Sequence, residues 1–221
     1  IRMTTEIKKA SDGIDEGAKI INGGGLVVFP TETVYGLGAN AFDEQAVAKI
    51  FEAKGRPQDN PLIVHISSLE QVKDIAVDIP DKFYELADRF MPGPLTIILK
   101  KSDKIPYIVT AGGETVGIRM PKNKWARELI AKSKPLAAPS ANRSKHISPT
   151  TARHVYEDLK GEVELILDDG ACQVGIESTV LDLTCDTPTI LRPGAVTAEM
   201  LLDIVGEAVS YTHLRAHETG R

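Results

Sequence analysis

Three polar stretches of the sequence carry residue types suited to binding a charged ligand. Residues 30–38 (PTETVYGLG) offer small hydroxyls and two glycines, which let a ligand approach the backbone closely. Residues 54–61 (KGRPQDNP) hold two cations two positions apart, Lys54 and Arg56, on a segment stiffened by two prolines. Residues 139–146 (PSANRSKH) add hydroxyls, an amide and further cations. Cations beside hydroxyls suit the phosphate or carboxylate groups of a small ligand.

Each of these features also has a simpler structural interpretation, and the sequence leaves the alternatives open. Lys54 and Arg56 would be favourable at an exposed helix C-terminus, where cations meet the helix dipole. The run 140–154 holds three formal positive charges and no acid, which would also suit a solvated basic loop. His65 lies within the apolar run 62–66 and could be a satisfied core histidine.

The residue types favour a reaction that needs no covalent nucleophile. Arg119 and Arg192 fall within or at the end of predicted strands, where an arginine is costly to bury without an anion to meet it. No Ser-His-Asp order, HExxH, Walker A or paired-carboxylate motif is convincing, and residues 36–41 match the GxGxxA fingerprint in the wrong context. The sequence therefore favours positioning and charge neutralisation, as in attack on a nucleotide phosphate.

Composition excludes several classes of protein. Lys+Arg 26 against Asp+Glu 31 gives a net charge of −5, which disfavours a general basic surface for nucleic acid. Cys172 and Cys185 lack CxxC spacing and flanking histidines, so we expect two reduced thiols and no protein metal site. No apolar run reaches the roughly 18–20 residues of a membrane span, and we expect a cytoplasmic protein without membrane contact.

The length of 221 residues predicts one domain, which we place at residues 4–209. Residues 210–221 lack apolar periodicity, although His213 and His217 stand at a spacing that could clasp a metal on a helix. We predict that this segment is a non-native or disordered tail and exclude it from the site.

Apolar periodicity predicts the elements that must position these residues. Helices are predicted over residues 5–22, 44–54, 80–90, 125–131, 149–159 and 198–205. Strands are predicted over residues 26–29, 62–66, 95–99, 116–120, 136–138, 165–167, 178–183 and 189–191. Asp43 and Gly55 are expected to cap the second helix, and Ser67 with Glu70 has the spacing of a capping box. Alternation of helices and strands, followed by crowded strands, predicts an α/β layer fold with a mixed sheet.

These stretches together resemble the YrdC-type threonylcarbamoyl-AMP synthase family over about residues 7–205. The resemblance rests on residues 30–37, on the Lys-x-Arg and Ser-x-Asn pairs at 54–56 and 140–142, and on residues 177–180 and 192–194. It implies a twisted, open mixed sheet flanked by helices, with a concave electropositive cavity. It also implies synthesis of L-threonylcarbamoyl-adenylate and pyrophosphate from ATP, L-threonine and bicarbonate or CO2.

The resemblance also implies roles for individual residues and partners. Residues implied to contact threonine and its carbamoyl derivative are Thr31, His65, Arg119, Ser140 and Ser178. Residues implied to hold ATP are Lys54, Arg56, Asn60, Thr115, Asn142, Thr150 and Arg192. Lys54 and Arg56 are the electrostatic candidates for catalysis, no general base is assigned, and Mg²⁺ is expected with ATP. The product would pass to a separate complex that modifies adenosine 37 of tRNA.

Other functions are weighed against this one. A double-stranded RNA-binding module without catalysis would use the acid-free run 140–154. The net negative charge and the 5% aromatic content argue against this function. Weak RNA binding by the enzyme is kept as a further expectation. A related enzyme that uses carbamoyl phosphate would be larger and carry CxxC pairs. Larger members of the family add a C-terminal domain after a linker. Because recognisable sequence here ends near residue 209, we expect the single-domain form.

Overall fold

The computed structural model of this chain describes residues 3–55, 60–143, 148–173 and 176–207, with the backbone of 209–210. Two predictions therefore fall outside the described residues. These are the role of Arg56 and nearly all of the predicted tail, residues 211–221.

Twelve strands of the described chain form one open, twisted mixed sheet. Their bounds are β1 (Glu6–Lys9), β2 (Val27–Phe29), β3 (Gly36–Asn40), β4 (Ile63–His65), β5 (Ala76–Val77), β6 (Leu95–Lys101), β7 (Thr115–Arg119), β8 (Leu136–Ala138), β9 (Leu165–Asp168), β10 (Thr179–Asp182), β11 (Thr189–Arg192) and β12 (Val209–Ser210). Their order is β1-β9-β2-β3-β8-β4-β7-β6-β10-β11-β12, and β5 pairs with β6 outside this path. Because β4 and β7 run parallel while β6 and β7 run antiparallel, the predicted mixed sheet is confirmed.

Seven helices of the described chain flank the sheet. Their bounds are α1 (Ala10–Asn22), α2 (Glu44–Lys54), α3 (Val72–Ile75), α4 (Asp81–Phe90), α5 (Lys124–Lys132), α6 (Ala152–Leu159) and α7 (Ala198–Val205). Helices α1 and α5 pack with β2, β8 and β9 in one apolar cluster, and the other helices contribute to a larger core cluster. In the described residues no helix is long and apolar enough to cross a bilayer.

The α1–α5 cluster leaves part of the sheet available for a site. It contains no described residue of β4, β7, β6 or β10. The inward residues of these strands, such as Val64, Ile97, Ile118 and Leu181, belong instead to the larger core cluster. The opposite face of the same four strands carries the cavity described below.

The N-terminal segment corrects the helix predicted over residues 5–22. Residues 6–9 form β1, which pairs in parallel with β9, and α1 begins only at Ala10. Ile7 fits the helical spacing by coincidence, since it is 44% exposed and lies on a strand. Pairing with a distant strand outweighs the local periodicity here.

Residues 36–40 form a strand where the sequence indicated a polar passage. This strand, β3, forms an antiparallel pair with β2, and a Cβ at Gly36 would stand 2.8 Å from Cζ of Phe29. Glycine is therefore needed at this position because the Phe29 ring packs directly against the backbone.

The termini of α2 follow the prediction and fix the position of Lys54. The Asp43 carboxylate accepts hydrogen bonds from the backbone of Gln45 and Ala46, and Gly55 adopts the left-handed conformation (φ 69°) just beyond the last helical residue. Lys54 is thus the final residue of the helix.

The predicted capping box is wrong by one residue. Ser68 and Gln71, rather than Ser67 and Glu70, form the reciprocal pair at the start of a 3-10 turn over Leu69–Gln71. Glutamine at the third position caps as well as glutamate does, and the spacing alone did not distinguish the two pairs.

Candidate active site

A cavity of about 610 Å³ opens over one face of β4, β7, β6 and β10. Successive side chains of a strand point to opposite faces, so alternate residues form the cavity floor. On β7, Thr115, Gly117 and Arg119 line the cavity, whereas Val116 and Ile118 lie in the core. The other floor residues of these strands are Ile63, His65, Thr96, Ile98 and Val180. The volume is within the range of about 300–1,000 Å³ that is usual for small-ligand sites.

Most of the predicted ligand-binding residues converge on this cavity. Nine of the eleven that are described line it: Thr31, Lys54, Asn60, His65, Thr115, Arg119, Ser140, Ser178 and Arg192. The other two, Asn142 and Thr150, are not among its lining residues. Asn142 Oδ1 accepts a hydrogen bond from Ser140 Oγ at 2.6 Å, and the Thr150 carbonyl accepts one from the backbone of Cys172 at 2.9 Å.

The two halves of the Lys-x-Arg and Ser-x-Asn motif meet at one wall of the cavity. Lys54 Nζ donates to the carbonyl of Ser140 at 2.7 Å, across 86 residues of sequence. Lys54 is only 6% exposed, so the alternative of an exposed helix end does not hold for this residue. Lys54 and Ser140 both line the cavity.

Arg119 finds the anionic partner that its burial requires. Its Nη2 lies 2.6 Å from Glu32 Oε1, its Nη1 donates to Thr33 Oγ1 at 3.0 Å, and its Nε donates to the Gly93 carbonyl at 3.1 Å. Burial lowers the pKa of Arg119, and the Glu32 carboxylate opposes that shift. The guanidinium is thereby fixed at the cavity floor between the loop 31–34 and the segment before β6.

His65 is a buried residue that also lines the cavity. It is 5% exposed, its Nδ1 lies 3.0 Å from the Ile63 carbonyl, and its ring meets Phe29 edge to face at 5.4 Å. Burial, followed by the charge of Arg119, lowers its pKa to about 3. His65 is therefore neutral at physiological pH and can contact a ligand without adding charge.

We expect His65 to remain neutral from about pH 5 to pH 8, which NMR titration of the ring carbon would show. In the window between its ordinary pKa of 6.5 and its folded value of about 3, the unfolded chain binds a proton that the folded chain does not. Stability is consequently lost as the pH falls from 6.5 towards 3. The variant His65→Asn should reduce the slope of unfolding free energy against pH by up to about 1.4 kcal/mol per unit. A His65 titration midpoint near the ordinary value would contradict this account.

A second polar cluster joins β6, β10 and β11. Thr96 Oγ1 and Ser178 Oγ lie 2.7 Å apart, and Arg192 donates to both the Ser178 carbonyl and the Ser178 hydroxyl, at 2.9 and 3.1 Å. Arg192 Nη1 also lies 3.5 Å from a carboxylate oxygen of Glu177. The two hydroxyls share one mutual hydrogen bond, so one hydroxyl hydrogen of the pair is left to donate to a ligand.

Sequence reasoning missed several residues of this site. Thr33, Thr96 and Gly117 line the cavity, and Glu32 forms an ion pair with the lining residue Arg119. The sequence TVGIR at 115–119 did contain a usable signal. Its polar or small residues alternate with Val116 and Ile118, which indicates a strand with one face turned to a site.

The cavity contains more cations than acids among its described lining residues. Lys54, Arg119 and Arg192 line it, with Glu177 as the carboxylate. In the described parts of the chain no cluster of His, Cys, Asp and Glu is suited to hold a metal ion. Cys172 is a free thiol whose pKa burial raises to about 11, so it is protonated at neutral pH. The arrangement can bind and align anionic groups but offers no activated thiolate.

The fold and the cavity define an α/β protein whose cavity, on one face of a mixed sheet, is suited to small anionic ligands. Residues 19–194 match the model of the Sua5/YciO/YrdC family, whose description is "Telomere recombination". The chain belongs to this family.

Two similar sequences and one solved structure support the assignment. Threonylcarbamoyl-AMP synthase of Pyrococcus abyssi is 54% identical over 191 residues, which cover 86% of this chain and 56% of that protein. The enzyme of the same name from Bacillus subtilis is 49% identical over 208 residues, covering 93% and 60%. The crystal structure of P. abyssi Sua5 complexed with L-threonine superimposes with a TM-score of 0.89 at 50% identity, covering 96% of this chain and 62% of that one. The chain thus spans about 60% of the length of these relatives.

Proposed function

We propose that this chain forms L-threonylcarbamoyl-adenylate and pyrophosphate from ATP, L-threonine and bicarbonate or CO2. The observation that carries the proposal is convergence: Lys54, Ser140, Arg119 and Arg192 come from distant parts of the chain and surround one cavity. The similarity to proteins named threonylcarbamoyl-AMP synthase, one of them solved with L-threonine, supports this choice of ligands.

The cavity suits a reaction among several anions. The substrates bring a triphosphate, a carboxylate and a carbonate-derived group, whose mutual repulsion would oppose assembly without nearby cations. The carboxylated amine of threonine attacks the α-phosphorus through a carbamate oxygen, forming the new P–O bond as the bond to pyrophosphate breaks. Lys54, Arg119 and Arg192 would offset the negative charge at this step.

We assign the residues to two groups of ligand contacts. Thr31, His65, Arg119, Ser140 and Ser178 would contact threonine and its carbamoyl derivative. Lys54, Asn60, Thr115 and Arg192 would hold the nucleotide, with Arg56, Asn142 and Thr150 assigned to it from sequence alone. Mg²⁺ would bind together with the phosphates of ATP. It keeps several of its waters and needs only one or two protein carboxylates. Glu177, which lines the cavity, would supply such a carboxylate.

The later fate of the product also belongs to the proposal. Threonylcarbamoyl-adenylate would be passed to a separate transferase complex that modifies adenosine 37 of tRNA. We place the reaction in the cytoplasm, where ATP and tRNA are both available.

Mass spectrometry of the products tests the function directly. Incubation with ATP, L-threonine and bicarbonate should yield threonylcarbamoyl-adenylate and pyrophosphate, and omission of any substrate should abolish both. RNA binding without ATP consumption would favour the double-stranded RNA-binding alternative and overturn the proposed activity.

The variant Ser140→Ala should lower the rate by about tenfold or more, the scale of one lost contact to a charged group. Arg56→Ala is expected to do the same. Ser133→Ala is the matched control, because the Ser133 hydroxyl donates to the Leu129 carbonyl and Ser133 does not line the cavity. An unchanged rate in Ser140→Ala would remove Ser140 from the site while leaving the fold assignment intact.

A further inference from the structure

The hydroxyl of Ser178 is contacted by residues on the two strands that flank β10, which are β6 and β11. From β11, Arg192 donates to the Ser178 hydroxyl through Nη2 at 3.1 Å and to the Ser178 carbonyl through Nε at 2.9 Å. From β6, Thr96 Oγ1 lies 2.7 Å from Ser178 Oγ. Arg192 therefore holds both the backbone and the side chain of Ser178, and Thr96 provides the second contact to the hydroxyl.

Burial indicates which of the two hydroxyls donates in the hydrogen bond between Thr96 and Ser178. Thr96 is 0% exposed, and in the described part of the chain Ser178 Oγ is the only hydrogen-bond partner of its hydroxyl. If Ser178 donated, the hydrogen of Thr96 would be buried without an acceptor, which costs free energy. If Thr96 donates, the remaining hydrogen belongs to Ser178, which keeps a small exposed surface (2%) and lines the cavity.

The packing of the Thr96 methyl group fixes the position of the Thr96 hydroxyl. A Cβ added at Gly117 of β7 would stand 3.1 Å from Thr96 Cγ2, so the glycine leaves room for this methyl group. The methyl group thus lies toward β7 and the hydroxyl toward β10, on opposite sides of β6. Because branching at Cβ makes the first side-chain torsion of threonine stiff, the hydroxyl is held beside Ser178.

This arrangement limits the hydrogen bonds that Ser178 can form with a ligand. A hydroxyl oxygen has two acceptor lone pairs and one hydrogen. With Arg192 and Thr96 both donating to it, the two lone pairs are occupied, so Ser178 can donate to a ligand but cannot accept from one. A carboxylate oxygen gains most from such a donor, whereas an ammonium group is not matched by it.

We propose that Thr96 is a positioning residue for threonine binding, because its hydroxyl commits the Ser178 hydroxyl to donation into the cavity. The inference rests on the proposed function, since it requires that Ser178 contact threonine. Thr96 acts on the ligand only through Ser178. Its effect on affinity should therefore disappear when the Ser178 hydroxyl is absent.

A double-mutant cycle, measured by calorimetric titration with L-threonine, tests this role. Thr96→Val keeps the shape of the side chain and should weaken L-threonine binding by about fivefold, the scale of one lost hydrogen bond. In the Ser178→Ala background the same substitution should change the affinity by less than about twofold. Thr96→Ser, which keeps the hydroxyl, should bind L-threonine within about twofold of the wild type.

Thr5→Val is the matched control for the loss of a threonine hydroxyl. The Thr5 hydroxyl donates to the Val163 carbonyl at 2.6 Å and accepts from the Gly161 nitrogen at 2.8 Å, and Thr5 does not line the cavity. This variant loses two hydrogen bonds and should bind L-threonine as the wild type does.

Two results would overturn the role of Thr96: an unchanged affinity in Thr96→Val, or a loss that persists undiminished in the Ser178→Ala background. If Thr96→Val does not fold, Thr96→Ala replaces it, with the same non-additive result expected. Threonine binding that follows this cycle in a protein that forms no threonylcarbamoyl-adenylate would refute the proposed function and leave the role of Thr96 standing. Product formation with an additive cycle would do the reverse.

Discussion

Replacing Glu32 with alanine should lower the free energy of unfolding by about 3–5 kcal/mol, the usual cost of removing one partner from a buried ion pair. Arg119 is 4% exposed and Glu32 is 8% exposed, so little water reaches the pair to replace the lost carboxylate. The same carboxylate accepts a hydrogen bond from the Lys122 backbone at 3.0 Å, and that contact would be lost as well. Urea denaturation measures the loss, and a change below about 1 kcal/mol would show that the pair is not effectively buried.

The double variant Glu32→Leu with Arg119→Met separates structure from function. Well-packed apolar replacements of a buried ion pair are often neutral or stabilising, so this variant should recover most of the stability lost in Glu32→Ala. It should not recover threonine binding, because Arg119 is the cation among the residues that we assign to threonine. Recovery of both properties would show that Arg119 serves only the fold.

Much of the fold is predictable because local signals and tertiary packing agree there. Asp43 and Gly55 set the ends of α2, and α7 (198–205) has the bounds predicted from its periodicity. The errors arise where a long-range contact decides the local structure. Residues 6–9 form a strand only because β9 lies beside them. The sequence of β3 resembles a polar loop because its glycines serve the packing of Phe29.

The residues of the candidate site were likewise predictable where a local motif marks them and not where a long-range contact decides. Residues that form recognisable motifs, such as Lys54 and Ser140, could be predicted from the sequence, as could the need of Arg119 for an anion. The identity of that anion could not be predicted, because Glu32 contacts Arg119 only when the loop after β2 packs against β7. The hydroxyl of Thr96 was missed for a similar reason, since its partner Ser178 is 82 residues away.

Gly194 is expected to be intolerant of any side chain, and Gly194→Ala should destabilise the protein by about 1–3 kcal/mol or more, as overpacking does elsewhere. An added Cβ would stand 2.6 Å from the backbone nitrogen of Thr179 and 2.8 Å from the Glu177 carbonyl. These are main-chain atoms at the start of β10, which cannot move aside as the end of a flexible side chain can.

The variant Gly194→Ala should also disturb the site, because Thr179 is hydrogen-bonded to Val196, two residues after Gly194. Its hydroxyl donates to the Val196 carbonyl at 2.8 Å and accepts from the Val196 nitrogen at 3.1 Å, so displacement of Thr179 also moves the adjoining Ser178. We therefore expect a loss of L-threonine affinity along with the loss of stability, measured by calorimetry below the unfolding transition. Gly113→Ala is the control, since its Cβ would stand 3.2 Å from a single carbonyl oxygen. If folded Gly194→Ala binds threonine as tightly as the wild type, the hydrogen bonds between Thr179 and Val196 do not hold Ser178 in place.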